Sequence, residues 1–127
     1  ASVAGLAPPT AGHTLYGASK SLVIKFSQSL AAEVGRDGVN VSALCPGFTY
    51  SEFHDVNGMR PMVSRFPKWV WLQAEDVARE GYDAVMRGQV VCVNGWHYRA
   101  LLQLVRYLPQ WLVNSTGRRA ARTYRKA

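Results

Sequence analysis

Between Thr14 and Val34 the sequence carries no proline, and Leu15, Leu22, Phe26, Leu30 and Val34 recur at helical spacings before Gly35 supplies a stop. The stretch predicts one long helix with those five side chains as its core-forming positions. Tyr16 and Lys20 leave the same face of its first turns, because four residues make about one helical turn. An ammonium one turn from a phenol favours the phenolate form, which makes tyrosine a usable acid or base.

Three segments frame the pair. Ser2-Val3-Ala4-Gly5-Leu6 precedes it, Tyr16-Gly17-Ala18-Ser19-Lys20 carries it, and Val39-Asn40-Val41-Ser42-Ala43-Leu44-Cys45-Pro46-Gly47 follows. Together they resemble the short-chain dehydrogenase/reductase family, in the order of its catalytic half, from Ser2 to about Val93. The resemblance implies an α/β fold. Residues 1–95 would form the C-terminal half of a Rossmann-like, doubly wound parallel sheet, and residues 96–127 an amphipathic basic tail.

The same resemblance implies a catalytic set of Ser2, Tyr16 and Lys20, with NAD or NADP as cofactor. Tyr16 would move the substrate proton, Lys20 would assist it and hold the nicotinamide ribose, and Ser2 would hydrogen-bond the carbonyl oxygen. Ser2 lies 14 residues before Tyr16 where the family usually has 13, a difference that the loop with Pro8 and Pro9 absorbs. Beyond Tyr16 and Lys20, the implied cofactor contacts are Pro46, Gly47, Thr49 and Ser51. Ser51 stands where the family more often has threonine, and it also suits the cap of a short helix over Glu52 to Asp55.

The chain opens on Ala1-Ser2 as if at the end of a strand, and no GxGxxG or related glycine turn is present, so it reads as a fragment without most of the cofactor cradle. With 127 residues, 48% of them hydrophobic, one modest core is expected. No run of about 18 apolar residues and no leader-like start occurs, which points to a cytoplasmic protein, or one peripheral to a membrane. Cys45 and Cys92 sit in apolar runs without metal-ligand spacing and read as reduced core residues; no metal is expected. They would be bridged only if their strands were neighbours.

Val39 to Cys45 predicts a buried parallel strand ended by Pro46-Gly47. Ligands in open α/β sheets bind beyond the carboxyl ends of strands, which puts residues 46–53 on the rim of the site with Ser2 and Tyr16. Between Phe53 and Leu72, Phe53, Met59, Met62 and Phe66, joined by Trp69 and Trp71, make an apolar substrate lid, the alternative being simple packing on the sheet edge. His13 and His54 receive no catalytic role. A second helix is expected from Gln73 to Arg87 and a last strand from Gln89 to Val93.

The net charge of +7 is confined to the end of the chain. Through Tyr98, 8 Lys+Arg balance 8 Asp+Glu, whereas Arg99, Arg106, Arg118, Arg119, Arg122, Arg125 and Lys126 face no acid. Interleaved with Leu101, Leu104, Leu108 and Trp111, they suit an anionic membrane surface or a partner subunit. Nucleic acid ranks last, since no aromatic groove or known module accompanies the charge.

The expected function is NAD(P)-dependent hydride transfer between nicotinamide and the carbonyl or alcohol carbon of an apolar or lipid-like small molecule. The resemblance also implies subunits paired across the Thr14 to Val34 helix, as a homodimer or homotetramer. The competing expectation is a non-catalytic dehydrogenase half that attaches to a partner or membrane by its tail.

Overall fold

The computed structural model describes residues 1–8, 14–50, 67–109, 111–112 and 115. In chain order its elements are α1 (Thr14–Val34), β1 (Ala43–Cys45), β2 (Thr49–Tyr50), β3 (Leu72–Gln73), α2 (Ala74–Met86), β4 (Val91–Val93) and α3 (Trp96–Tyr107). Short 3-10 turns cover Val3–Gly5, Gly35–Asp37 and Lys68–Val70.

β1 and β4 pair in parallel, with Ala43 opposite Val91 and Leu44 opposite Cys92. A parallel pair requires a crossover, and the connection between the two strands runs through α2. Side chains alternate across a strand, so Ala43 and Cys45 turn to one face, where they bury Ile24 of α1. Leu44 turns to the other and meets Gly81 of α2, where an added Cβ would stand 3.0 Å from its methyls. Helices therefore cover both faces of a parallel pair, which is the local form of a doubly wound α/β sheet. β2 and β3 form a second parallel pair with Thr49 opposite Leu72.

Three expectations are corrected. The bounds of α1 are those predicted, but Leu15, Leu22 and Phe26 are 84%, 69% and 63% exposed, while Ile24 is 2% exposed and Ser27 is buried. Apolar residues lie all round this helix, and the face that packs inward runs through Gly17, Ser21, Ile24 and Ala31, where small side chains admit close neighbours. The strand expected from Val39 is shorter, because the ladder begins only where the Ala43 amide reaches the Val90 carbonyl at 2.8 Å; the Val39 amide instead closes on Val34 O at 3.4 Å. The last strand likewise loses Gln89 and Val90 and spans Val91–Val93.

The cysteines belong to neighbouring strands yet are free. Leu44 faces Cys92 in the register, so Cys45 points to the α1 side and Cys92 to the α2 side, where its thiol lies 3.8 Å from Glu80 O. Burial pushes both thiols up, that of Cys92 further raised by Glu80.

Candidate active site

Ser2 has an extended backbone, and its hydroxyl accepts a hydrogen bond from the Ala4 amide at 3.2 Å, capping the turn Val3–Gly5. The turn is pressed onto α1. A Cβ on Gly5 would fall 2.7 Å from the Lys20 carbonyl carbon and 2.8 Å from both Ser21 N and Ile24 Cδ1, a distance no side chain tolerates against backbone. Ser21 Oγ donates to Gly5 O at 2.7 Å. The Val3 amide donates to Pro46 O at 3.0 Å, so the same turn is also tied to the end of β1. Ser2, the first turns of α1 and the Pro46-Gly47 rim are thereby gathered by three short contacts from residues far apart in sequence.

On α1, Lys20 Nζ stands 5.3 Å from the centroid of the Tyr16 ring, within cation–π range. The shared helical face expected for the pair is realised. Ser19 caps back onto the helix, its hydroxyl donating to Tyr16 O at 2.8 Å.

Beyond Pro46 the rim is shaped by Tyr98, from the first turn of α3. Its hydroxyl accepts from the Phe48 amide at 3.0 Å and donates to Val70 O at 2.9 Å, while its ring fills the space beside Gly47 and is 8% exposed. One side chain thus joins the chain after β1 to the chain before β3. Burial raises the Tyr98 phenol above its ordinary value of 10.0, the Phe48 amide acting the other way. Tyr98→Phe removes the hydroxyl's hydrogen bonds with Phe48 N–H and Val70 C=O and is expected to cost about 1–3 kcal/mol in denaturant unfolding. The raised phenol adds stability that is complete below about pH 10 and is lost as pH climbs through the folded-state value. The variant should therefore lose less stability than the wild type in a thermal melt series above that pH.

The Leu72 amide donates to Phe48 O at 2.8 Å, so the β2–β3 ladder uses backbone groups of Phe48 and Tyr50. In a parallel ladder this turns the N–H and C=O of Thr49 away from β3, as a donor and acceptor side by side. Thr49 Oγ1 donates to Gly47 O at 3.2 Å. Aromatic rings collect here: Phe48 and Trp71 are 5.7 Å apart, as are Trp69 and His97, and His97 lies 4.4 Å from Tyr98 with the rings tilted by 44°.

Ser51 and the lid residues Phe53, Met59, Met62 and Phe66 lie outside the described residues, as do His13 and His54. Sequence reading missed Tyr98, which has no local signature because both partners of its hydroxyl are distant in sequence. It also missed Asn94, 1% exposed, whose amide donates to Val77 O at 3.4 Å and Glu80 Oε2 at 3.1 Å and fastens the end of β4 to α2. The turn signal of Asn94-Gly95 marked the place but not this tie.

Residues 1–59 match the family described as short chain dehydrogenase. An uncharacterized oxidoreductase of Myxococcus xanthus is 28% identical over 109 residues, 86% of this chain and 40% of that protein. The 3-oxoacyl-[acyl-carrier-protein] reductase FabG of Rickettsia bellii is 31% identical over 93 residues, covering 66% of this chain and 39% of its own length. Carbonyl reductase family member 4 of Xenopus tropicalis is 44% identical over 41 residues, 32% of this chain and 17% of that protein. The chain thus spans two fifths or less of the curated relatives it matches. No solved structure matches it significantly.

Proposed function

We propose, from a chain that belongs through residues 1–59 to the short-chain dehydrogenase family, that it supplies the proton-transfer side of an NAD(P)-dependent oxidoreductase acting on a carbonyl or alcohol. The observation that carries this reading is the gathering of the Ser2 turn, the Tyr16–Lys20 face and the Pro46 rim by the contacts of Val3, Gly5 and Ser21.

The residues present suit a nicotinamide. Its carboxamide needs one acceptor and one donor, and Thr49 turns such a pair away from β3. When bound, the cofactor supplies or takes the hydride. Tyr16 transfers the proton of the substrate oxygen, and Lys20 sets a positive charge beside the phenol as it ionises and holds the ribose. Ser2 directs its hydroxyl proton to the carbonyl oxygen as charge develops there, while the oxygen's lone pairs keep the Ala4 amide. Pro46 and Gly47 lead the chain to Thr49, and Ser51 adds a second hydroxyl.

Phe48, Trp69 and Trp71 favour an apolar or lipid-like substrate, in keeping with the carbonyl reductase and the 3-oxoacyl reductase among the relatives. Phe53, Met59, Met62 and Phe66 would add to its cover. The exposed Leu15, Leu22 and Phe26 stripe of α1 supports pairing with a second copy, as a dimer or tetramer. Free cysteines and a nicotinamide reaction fit the cytoplasm.

Titration of the natural protein that carries this chain with NADH and NADPH, followed by nicotinamide fluorescence, tests the reading. Saturable binding weakened by Lys20→Ala is the expected result. An absence of binding to either nucleotide would favour the non-catalytic module instead.

A further inference from the structure

The apolar arc of α3 is wider than the body covers. Tyr98 is buried and Leu102 and Val105 are partly so, at helical spacings that make one inward stripe. Trp96, Leu101, Leu104 and Tyr107 are 76%, 53%, 63% and 82% exposed. At about 100° per residue these four occupy roughly 140° of the helix circumference, and Arg99, Gln103 and Arg106 fill the remaining polar arc. Past the helix, Leu108 and Trp111 continue the exposed apolar surface.

Charge selects what covers it. No acidic residue follows Asp83, and the seven cations from Arg99 to Lys126 give the end of the chain the whole net charge of +7. A second copy would bring a second unopposed set of cations to the contact, whereas an anionic surface neutralises them. Among the described residues no helix is long and apolar enough to cross a membrane. A 12-residue helix spans only about 18 Å against a hydrocarbon core of about 30 Å. Trp and Tyr beside Leu, backed by arginine, is the chemistry of the bilayer interface.

We propose that α3 lies in the plane of an anionic phospholipid surface, with Trp96, Leu101, Leu104 and Tyr107 in the headgroup–acyl boundary. This holds whether or not the site is catalytic.

Co-sedimentation of the full chain with phosphatidylcholine vesicles, with and without phosphatidylglycerol, tests it. Binding should rise with phosphatidylglycerol and fall with salt. The double substitution Leu101→Glu and Leu104→Glu should lower partitioning by about tenfold or more, and Arg106→Gln by about fivefold, with far-UV circular dichroism unchanged. Anionic-vesicle binding that survives the double substitution would assign the attachment to tail charge alone and overturn the role of α3. A lack of vesicle binding would overturn it too. So would a change of oligomeric state in the double variant, read by light scattering, without loss of vesicle binding, which would give the face to a protein partner.

Discussion

Tyr16→Phe should lower turnover by about 10²–10⁴-fold in the proposed oxidoreductase, the range expected when a positioned general acid or base is removed. The substitution deletes one oxygen and keeps the ring that Lys20 Nζ approaches at 5.3 Å, so the cation–π contact persists. Nucleotide affinity and the melting temperature should therefore change little. The discriminating comparison is Lys20→Ala, which removes both the charge beside the phenol and the proposed ribose contact, and should weaken nucleotide binding as well as turnover. Steady-state rates together with the fluorescence titration separate the two. Turnover retained by Tyr16→Phe would remove Tyr16 as the proton-transfer group.

Gly47→Ala should be among the most destabilising single changes available, by about 3 kcal/mol or more. A Cβ built on Gly47 would overlap Cζ and both Cε carbons of the Tyr98 ring. The ring cannot simply swing away, because its hydroxyl is held by Phe48 N at 3.0 Å and Val70 O at 2.9 Å. Either the ring leaves, with a large buried surface and two hydrogen bonds lost, or the rim after β1 shifts and takes Thr49 with it. A double-mutant cycle tests this in urea unfolding. In a Tyr98→Ala background the overlap is gone, and Gly47→Ala should then cost no more than about 1 kcal/mol. An equal cost in both backgrounds would show that the side chains do not collide and that Gly47 matters for another reason.

Much of the candidate site's local geometry was legible because its motifs are local. Tyr16 and Lys20 share a face through helical geometry alone, and Pro46-Gly47 ends a strand wherever that strand lies. Ser2 shows the limit. Its placement beside α1 rests on Gly5 having no side chain where Lys20, Ser21 and Ile24 come close, and on the Val3 amide finding Pro46 O. Tyr98 stands at the far extreme, reading as the start of a basic tail yet serving the body as the clamp between residues 48 and 70.

The sequence by itself determined the bounds of α1, the α/β class, the Tyr16–Lys20 pair and the confinement of net charge to the end of the chain. The class follows from the family resemblance, and the others from composition, the helical period or a breaker residue, signals that act over a few positions. Only the tertiary structure decided that Ile24 rather than Leu22 or Phe26 faces the sheet, that Cys45 and Cys92 point to opposite sides of paired strands, and that Tyr98 closes the rim. Those outcomes depend on which surfaces meet. Apolar side chains lie all round α1, so its inward face is selected by the close approach that Gly5, Gly17 and Ser21 allow, a steric fact that exists only once the chain has folded back on itself.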